Sequence, residues 1–507
     1  MKLSDIMEGI HILEYTGNTH IPISDICYHS HKAKPGSVFV AIQGLRSDGH
    51  QFIADALSKG ACAVVVSKEL HKITALTDLY GKVTVIRVRE TRSALSRMAA
   101  NLCKHPSKAL NMIGVTGTNG KTTIAYLVHA ILERYEGVGQ IGSLGIFSGH
   151  EWKESSHTTP ESLELQKILK DMLDSGLKSC IMEVSSHALE LGRVRDIDFD
   201  AAIFSNLTHE HMDFHKSMEN YYIAKRRLFY MTNRFNVINI DDPYGKRLAS
   251  ELTACNQAPI ITYGIKEDAD CRAHSVRMLG NHTELHIITP AGDMTLRILL
   301  PGRYNVYNCL AAVACTHMLG LGLSEIKALE QVKQIPGRFE VIPAGRNVNI
   351  IIDYAHTPDG FQQLLETVSG FAKGRIVMVF GCVGERDQSK RSVMGEIASR
   401  YSDLCILTTD NCRSENPKDI IEQIKKGFSI GTNYVEILDR EAAIRYAILN
   451  SKENDTILVT GKGHEKKQVI GNITFYFDER KIVDTALKDL SRQMGISPAR
   501  LSVEYRP

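Results

Sequence analysis

The chain has 507 residues, of which 43% are hydrophobic and 23% are charged, and its formal net charge is +2 at pH 7. This is the composition of an ordinary globular protein that is too long for one core, and at roughly 150 residues per domain it suggests about three domains. The nearly balanced charge argues against nucleic acid or an anionic membrane as the main partner.

The cysteines and the apolar runs indicate where the protein resides. The 11 cysteines form no C-x-x-C pair, and most lie inside apolar runs, as free thiols do in a reducing cytosol. No uninterrupted apolar run approaches the ~18 residues that span a bilayer. We therefore expect a cytoplasmic protein with no membrane anchor.

The first segment, residues 1–108, predicts a small α/β domain that ends in the polar linker 104–108. Its expected elements are three short strands and one helix, at 38–42, 61–67, 82–88 and 91–103. The loop 44–50 is bounded by glycines and follows a strand. It is either a ligand-contacting loop or an ordinary surface turn, and both interpretations stay open.

The strongest motif is the glycine-rich loop 117–123, which lies between a predicted strand at 112–115 and a predicted helix. Apolar residues recur at helical spacing from 124 to 132. At such a junction backbone N–H groups bind a polyphosphate, the Lys121 ammonium reaches its outer phosphates, and the Thr122 hydroxyl binds Mg²⁺. The spacing departs from the strict phosphate-loop pattern at one glycine, so an ordinary glycine-rich turn is the alternative.

Two later strands of the central segment end in reactive side chains. The strand that begins at Ser179 delivers Glu183 and the following Ser-Ser-His to its carboxyl end, and the strand 200–206 leads into a group of histidines. Ligands bind at that edge of open α/β sheets. Glu183 beside a phosphate loop suits a Mg²⁺ ligand or a water-positioning group, and a buried, hydrogen-bonded acid is the alternative.

The histidine group 209–215 resembles a zinc site only superficially. Its spacing is not H-E-x-x-H, and no cysteine is near. A role for His211 beside Mg²⁺ is therefore favoured over zinc.

Two predicted helices carry polar residues of open role. The helix 219–229 contains a basic triplet that includes Lys225, and a solvated face is the favoured interpretation from its pattern alone. A second helix follows Gly302 and places Asn305 in its first turn. An amide there either binds a nucleotide or caps the helix.

The last segment, residues 336–507, predicts a second doubly wound sheet. Its strands are expected at 348–353, 375–381, 403–409 and 455–461. Each strand ends in a polar motif, so one rim carries Arg386, Arg413 and several acids. That rim suits a zwitterionic amino acid.

Seven motifs occur in a fixed order: Gly117-Thr-Asn-Gly-Lys-Thr-Thr123, Glu183-Val-Ser-Ser-His187, Asn206-Leu-Thr-His-Glu-His211, Asn305-Val-Tyr-Asn308, Gly337-Arg338, Asp353-Tyr-Ala-His-Thr-Pro358 and Gly461-Lys-Gly-His-Glu465. In this order they resemble the Mur ligase family over nearly the whole chain. The resemblance implies an α/β protein of three domains. They are a small N-terminal α/β domain for a UDP-sugar (1–108), a central P-loop ATPase-like doubly wound domain for ATP (109–335) and a C-terminal Rossmann-like domain for the incoming amino acid (336–507).

The resemblance also implies the reaction. Family members use ATP and Mg²⁺ to turn a carboxylate into an acyl phosphate, which an amino acid's amine then converts into an amide. Within the family, the chain is most similar to ligases that add diaminopimelate to a UDP-N-acetylmuramoyl dipeptide in peptidoglycan synthesis. We accordingly expect a monomer with small-molecule substrates.

Site residues carry over from the matching motifs. Expected catalytic residues are Lys121, Glu183, His211 and Lys225, and the metal ligands are Thr122, Glu183, His211 and Lys225. The resemblance implies that Lys225 carries CO₂ as a carbamate, which requires a neutral amine. Expected ATP contacts are Gly117, Thr118, Asn119, Gly120, Lys121, Thr122, Thr123, Asn305, Arg338 and Asp353. Expected UDP-substrate contacts are Ser30, Thr158, Thr159, Ser185 and Arg193. Expected amino-acid contacts are Arg386, Asp410, Asn411, Arg413, Gly461 and Glu465.

Three substrate loops depart from the family's pattern. The first reads His29-Ser-His31 instead of Asp-Ser-Arg, His157 replaces an asparagine, and Cys412 replaces a proline beside Arg413. A paralogue that ligates an amino acid onto a different carboxylate is therefore the second hypothesis. A nucleotide-binding regulatory protein without turnover is the third, and the intact ATP motifs argue against it.

Overall fold

The computed structural model describes residues 1–44, 47–73, 83–256, 258–279, 282–344 and 347–493. These residues form three α/β units, each built on its own sheet, and a small two-stranded hairpin. The predicted fold class is thus confirmed. None of the helices in these ranges is long and apolar enough to cross a membrane, and all 11 cysteines are free thiols.

The N-terminal sheet has five strands in the order β1-β5-β4-β3-β2, with β1 antiparallel to β5 and the others parallel. Its strands are β1 (Ile12–Thr16), β2 (Asp25–Cys27), β3 (Ser37–Val40), β4 (Ala63–Val66) and β5 (Thr84–Val88), and its helices are α1 (Leu3–Ile6), α2 (Ile53–Ser58) and α3 (Thr91–Leu102). The three expected strands and the expected helix are confirmed, with slightly shorter ends. The strands β3 and β4 were predictable because they are uninterrupted buried apolar runs.

Two expectations fall partly outside the described residues. These are the first part of the predicted strand at 82–88 and residues 45 and 46 of the loop 44–50. In the rest of that loop, His50 is buried and packs inside the fold, with Nδ1 2.6 Å from Asp48 Oδ1. Its Nε2 accepts a hydrogen bond from the Ser67 amide at 3.1 Å. Both ring nitrogens of His50 therefore have partners within the domain.

The central sheet has 11 strands in the order β16-β15-β14-β13-β12-β11-β6-β10-β7-β8-β9. The strands are β6 (Asn111–Thr116), β7 (Val138–Gly142), β8 (Gly145–Phe147), β9 (Trp152–Lys153), β10 (Ser179–Glu183), β11 (Phe199–Phe204), β12 (Thr232–Asn239), β13 (Ile260–Gly264), β14 (Cys271–Met278), β15 (Thr283–Thr289) and β16 (Gly292–Ile298). The helices are α4 (Lys121–Leu132), α5 (Ser162–Asp174), α6 (Ser186–Glu190), α7 (Met212–His215), α8 (Met218–Arg226), α9 (Pro243–Ala254), α10 (Arg303–Met318) and α11 (Leu323–Ile326).

The parallel centre of this sheet positions the phosphate loop. β6 lies between β10 and β11, and all three strands run parallel. Loops that follow parallel strands emerge at the same edge, so the ends of β6, β10 and β11 bring the loop 117–123, Glu183 and the loop 205–211 together. α4 and α10 cover one face of the sheet with a continuous apolar core.

The C-terminal sheet has six strands in the order β17-β18-β22-β19-β20-β21, with only β17 antiparallel to its neighbour. Its strands, with the two of the separate hairpin, are β17 (Glu340–Pro343), β18 (Asn349–Asp353), β19 (Ile376–Phe380), β20 (Leu404–Leu407), β21 (Tyr434–Glu436), β22 (Thr456–Thr460), β23 (Lys467–Ile470) and β24 (Ile473–Tyr476). Its helices are α12 (Pro358–Ser369), α13 (Ser389–Tyr401), α14 (Pro417–Lys425), α15 (Arg440–Leu449) and α16 (Glu479–Gln493).

A buried ion pair joins α15 and α16 beneath the C-terminal sheet. Arg440 Nε and Nη2 lie 2.8 and 2.6 Å from Glu479 Oε1, and both side chains are completely buried. Arg440 Nη2 also donates to the carbonyl of Thr460 at the end of β22. The pair therefore links the helices to the strand end that leads into the loop 461–465.

We predict that Glu479→Ala lowers the free energy of unfolding by about 3–5 kcal/mol, because it leaves the Arg440 guanidinium buried without its counter-charge. Chemical denaturation measures this loss. Glu441→Ala is the matched control, since Glu441 is an exposed acid on α15. Equal unfolding free energies for the two variants would contradict the prediction.

Candidate active site

A cavity of about 1180 Å³ lies between the central and C-terminal domains. Its described lining begins at Thr118 and contains no residue of the N-terminal sheet or its helices. Most predicted site residues line it: Thr118, Asn119, Gly120, Lys121, Thr122, Thr123, Thr158, Thr159, Glu183, Ser185, Arg193, His211, Arg338, Asp353, Arg386, Asn411, Arg413 and Glu465. The predicted residues outside its lining are Ser30, Gly117, Lys225, Asn305, Asp410 and Gly461.

The loop 117–123 forms a tight cradle at the N-terminus of α4. Gly117 and Gly120 have φ values of +151° and +88°. A Cβ at Gly117 would lie 1.8 Å from Ser205 Oγ, so the backbone approaches its neighbours too closely for a side chain. Lys121 Nζ folds back onto the carbonyls of Gly117 and Thr118, each at 2.9 Å. The first turn of α4 thus offers free N–H groups and a cation to an anion.

The Thr122 hydroxyl is the meeting point of three elements. It donates to Glu183 Oε2 at 3.0 Å and accepts from Arg338 Nη2 at 2.8 Å. Glu183 is buried, and its other oxygen accepts from the Ser143 amide at 2.7 Å. The end of β10, the phosphate loop and the start of the C-terminal domain therefore converge on one hydroxyl and one carboxylate.

Lys225 is buried, which makes the solvated-face interpretation of its helix wrong for this residue. Its Nζ donates to the carbonyl of Gly117 at 2.6 Å and lies 4.6 Å from the centre of the Tyr221 ring. Burial, aided by the Lys121 cation, lowers the pKa of the Lys225 amine well below its usual value. The neighbouring Arg226 is only part-buried and pairs with Glu251 instead.

Three histidines cluster beside this lysine. The His187 and His211 rings lie 4.7 Å apart, and the His215 ring lies 5.6 Å from that of His187. Burial, reinforced by His215, lowers the pKa of His187 to about 4, and burial likewise lowers the pKa of His211. These imidazoles are therefore neutral at pH 7 and available as metal ligands. Among the described residues, no three His, Cys, Asp or Glu side chains form a ready-made metal site.

The predicted nucleotide residues of the C-terminal domain flank the same hydroxyl. Asp353 accepts from the amides of Phe339 and Ala355, both at 2.7 Å. Arg338 stacks on the Tyr354 ring, 4.2 Å from its centre. Asp353 therefore fixes the turn that carries Arg338 toward the phosphate loop.

Asn305 does not line the cavity. Its Nδ2 donates to the carbonyl of Pro301 at 2.7 Å, and its Oδ1 accepts from Asn308 Nδ2 at 3.0 Å. Asn308 lines the cavity, and its Oδ1 lies 2.5 Å from where a Cβ on Gly120 would be. Asn305 thus orients Asn308 against the phosphate loop. Asn308 was not among the site residues predicted from the sequence, although it belongs to the same motif.

Four of the predicted amino-acid residues, Arg386, Asn411, Arg413 and Glu465, line the cavity, whereas Asp410 and Gly461 lie outside its lining. Asn411 Nδ2 donates to Glu465 Oε2 at 3.2 Å, and Tyr354 Oη donates to Glu465 Oε1, also at 3.2 Å. Arg413 has a left-handed φ of 53° and donates its amide to the carbonyl of Val469 at 3.2 Å. The hairpin of β23 and β24 is therefore hydrogen-bonded to the loop that contains Arg413.

The predicted UDP-substrate residues fall into two groups. Thr159 Oγ1 donates to the carbonyl of Glu183 at 2.8 Å, and Arg193 Nη1 donates to the carbonyl of Thr159 at 2.9 Å. These residues stand on the cavity wall next to Glu183. Ser30 lies on the N-terminal domain, away from this group. The rings of its two chain neighbours, His29 and His31, stack on each other with their centres 5.3 Å apart.

Sequence models of the Mur ligase domains match three stretches of the chain. The model described as "Mur ligase family, catalytic domain" matches 22–102, "Mur ligase middle domain" matches 115–316, and "Mur ligase, glutamate ligase domain" matches 337–463. The chain belongs to the Mur ligase family. This Mur ligase thus carries each family domain on one of the three sheets.

Full-length relatives agree with this assignment. The chain is 44% identical over 501 residues to the UDP-N-acetylmuramoyl-L-alanyl-D-glutamate--2,6-diaminopimelate ligase of Alkaliphilus oremlandii, covering 98% of the chain and 100% of the relative. It is 42% identical over 493 residues to the ligase of the same name from Clostridioides difficile, covering 97% and 100%. A solved structure of a ligase of that name matches with a TM-score of 0.66 and 30% identity, covering 96% of this chain and 99% of that one.

An ion pair that was not predicted from the sequence joins two domains of this Mur ligase. Lys390 Nζ of α13 lies 3.1 Å from Glu210 Oε1, and both side chains are 7% exposed. The pair crosses the cavity between the central and C-terminal domains. No local pattern relates two residues 180 positions apart, although Glu210 stands within the His-Glu-His motif.

Proposed function

We propose that the protein is an ATP-dependent ligase that adds diaminopimelate, expected as the meso isomer, to UDP-N-acetylmuramoyl-L-alanyl-D-glutamate in cytoplasmic peptidoglycan synthesis. The observation that carries the proposal is one cavity lined by the phosphate loop, by Glu183 and by the arginines of the amino-acid rim. Full-length similarity to ligases of that name supports the choice of substrates. The proposed domain limits are 1–108 for the UDP-sugar, 109–335 for ATP and 336–507 for the amino acid, in a monomer.

In the proposed first step, the phosphate loop and Lys121 hold the triphosphate of ATP, and Arg338 and Asp353 hold the nucleotide from the C-terminal side. The γ-carboxylate of the D-glutamyl residue attacks the γ-phosphorus, the bond to the β-phosphate oxygen breaks, and ADP leaves. The result is an acyl phosphate. The protein's contribution is mostly positioning and charge neutralisation.

In the second step, the neutral amine of diaminopimelate attacks the acyl carbon, and the bond from that carbon to the phosphate oxygen breaks. The nitrogen gives up one proton to the departing phosphate as the amide forms. Arg386, Asp410, Asn411, Arg413, Gly461 and Glu465 are the proposed amino-acid contacts. Closure of the two domains around the bound substrates would keep out the water that would hydrolyse the acyl phosphate.

The residues present fit Mg²⁺ and a lysine carbamate. Thr122 Oγ1 and Glu183 Oε2 are 3.0 Å apart, a hydroxyl and a carboxylate of the kind that bind Mg²⁺ beside phosphates. Burial lowers the pKa of His211 and so favours its neutral imidazole, and burial likewise lowers the pKa of Lys225, which favours the neutral amine that carbamylation with CO₂ needs. Bound Mg²⁺ neutralises phosphate charge, and these four residues would hold it.

The test is phosphate release from ATP and Mg²⁺ in the presence of UDP-N-acetylmuramoyl-L-alanyl-D-glutamate. We expect release that depends on both the acceptor and diaminopimelate. Release with an amino acid but without this acceptor would instead favour the paralogue. No release with any acceptor, despite ATP binding, would favour a regulatory protein.

The paralogue remains the second candidate because of the acceptor end. His29 and His31 replace an acid and a base of the family pattern, and Ser30 does not line the cavity. Ser30 and the loop 44–50 would then have to bind the UDP group without the family's acid and base. Each hydrogen bond to a charged group that is lost in this way lowers the binding free energy by about 1.5–3 kcal/mol.

We therefore predict weak but specific binding of UDP-N-acetylmuramoyl-L-alanyl-D-glutamate, measured by calorimetry. Restoring the family residues with His29→Asp and His31→Arg should tighten it, and UDP-glucose serves as the control ligand. The absence of any binding at millimolar concentration would refute the peptidoglycan assignment and favour the paralogue.

A further inference from the structure

The loop 461–465 contains a buried lysine with no assigned role. Lys462 is the second residue after β22, and its side chain is completely buried. It does not line the cavity, whereas Asn411 and Glu465 do. A buried ammonium is stable only when it is paired and hydrogen-bonded, so its partners indicate what it acts on.

The acceptors around this ammonium belong to the amino-acid rim. Lys462 Nζ donates to Asn411 Oδ1 at 3.1 Å and to Glu465 Oε2 at 3.3 Å, and Asp410 Oδ1 lies 3.8 Å away. Asp410 is buried and Glu465 is partly exposed to the cavity. The cation therefore offsets two carboxylates that would otherwise repel each other across the rim.

The same contacts fix the orientation of the Asn411 amide. Its side-chain acceptor receives hydrogen bonds from Lys462 Nζ at 3.1 Å and from the Val469 amide at 2.9 Å. Both partners are donors only, so the accepting atom is the oxygen. The NH₂ group must then lie on the side of Glu465 Oε2, 3.2 Å away. Asn411 can thus offer an N–H donor at the cavity wall to a carboxylate.

The main chain on both sides of Lys462 is held in place by close packing. Gly461 has a φ of +111°, and a Cβ there would lie 2.8 Å from Asp410 Oδ2. Gly463 has a φ of +55°, and a Cβ there would lie 2.7 Å from the carbonyl oxygen of Gly337. A side chain at Gly461 would therefore collide with Asp410, and one at Gly463 with the main chain of Gly337, so both neighbours of Lys462 have to be glycine in this conformation.

We propose that Lys462 is a positioning residue for the incoming amino acid. It holds the Asn411 amide and the Glu465 carboxylate in the orientation that binds the carboxylate and ammonium groups of the substrate. It acts through these two side chains and does not touch the substrate. The inference rests on the proposed function, since it takes the rim as the amino-acid site.

Lys462→Met tests the inference, because it keeps a long unbranched side chain and removes the charge and the donors. We expect the KM for diaminopimelate to rise about 10- to 100-fold, as for lost hydrogen bonds to charged groups. The KM values for ATP and for the UDP-linked acceptor should stay unchanged, and kcat should fall less than the KM rises. Lys462→Gln retains a donor and should give an intermediate KM. Lys466→Met, at an exposed lysine of the same segment, is the matched control.

A wild-type KM for diaminopimelate in Lys462→Met would overturn the inference. An equal loss of affinity for all three substrates would also overturn it, because that pattern marks a general folding role. If Lys462→Met does not fold, Lys462→Gln takes its place, and a wild-type KM there is equally decisive. Failure of the proposed function is seen separately, as wild-type enzyme that releases no phosphate with diaminopimelate. In that case, the KM values of wild type and variant are compared for the amino acid that the wild type does use. If the wild type uses no amino acid, the inference is refuted.

Discussion

Lys225→Ala is expected to lower the ligation rate by about 100- to 1,000-fold, the loss measured when one preorganised electrostatic group is removed from an active site. The reason is the proposed carbamate, which would place an anionic ligand beside Glu183 and His211. Burial lowers the pKa of the Lys225 amine, which favours the neutral form that reacts with CO₂. Steady-state phosphate release with all substrates at saturation measures the effect.

Rescue by small carboxylic acids separates this role from a structural one. In the alanine variant, formate or acetate can occupy the space of the missing carbamate and restore part of the rate. Lys225 Nζ also donates to the carbonyl of Gly117. If that contact were its whole contribution, the variant would lose ATP affinity and no carboxylic acid would restore it.

The control for this experiment is the next residue on α8. Arg226 pairs with Glu251 at 2.8 Å and is part-buried, and pairs of this kind are worth about 0–1 kcal/mol. Arg226→Ala should therefore ligate at nearly the wild-type rate. Full activity of Lys225→Ala without added acid would return Lys225 to the status of an ordinary helix residue.

The burial of Lys225 shows why part of the site escaped local sequence patterns. The basic triplet 225–227 indicated a solvated face, yet Tyr221 and Lys225 stand at i and i+4 and share the buried face of α8. Spacing from Tyr221 was the available signal. Only the motif order of the family pointed to a role for this lysine.

Some strands were predictable from the sequence and others were not. Continuous runs of valine and isoleucine predicted the buried parallel strands, because both faces of such strands are covered. The strands β14 to β16 were not predicted, although the alternation of buried and more exposed residues along β15 and β16 is itself a signal for half-buried strands. The hairpin of β23 and β24 was also missed, and it is the element that holds the Arg413 loop.

Contacts between domains were beyond any local pattern. Lys390 with Glu210, and Arg338 with Thr122, join residues that are 180 and 216 positions apart. Sequence motifs marked several of these residues as important, but only the packing of the two sheets brings them to one cavity. The reactive residues at the strand ends were therefore predictable from the sequence. Their contact partners on the other side of the cavity were not.

Arg413→Ala is expected to erase most of the preference for diaminopimelate over lysine, which we predict to be roughly 30- to several-thousand-fold. A guanidinium binds a carboxylate through two parallel hydrogen bonds, whereas lysine would bring a second cation to the same place. Leaving the Arg413 guanidinium without a carboxylate partner in a closed site costs about 2–5 kcal/mol. The ratio of kcat/KM for the two amino acids measures the preference.

Hydrogen bonds to the hairpin of β23 and β24 hold the main chain of Arg413 in place. Arg413 occupies the left-handed region at φ 53°, which costs a non-glycine residue about 1–2 kcal/mol. The cost is offset by main-chain bonds to Val469 and Gly471, at 3.2 and 2.7 Å. Lys418→Ala is the matched control, because it removes an exposed cation from the nearby helix α14. Its selectivity should equal that of the wild type.

Cys412→Pro should change the preference little, although it restores the residue of the family pattern. Proline would fix φ and gain about 0.4–1 kcal/mol of preorganisation. It would also remove the hydrogen bond from the Cys412 amide to the carbonyl of Asp410, 2.9 Å long, at a cost of about 0.5–1.5 kcal/mol. Both changes act on the loop before either amino acid binds, so they largely cancel from the ratio of the two kcat/KM values. A wild-type preference for lysine would refute the assignment of diaminopimelate, because the Arg413 guanidinium would then face a cation across the same cavity.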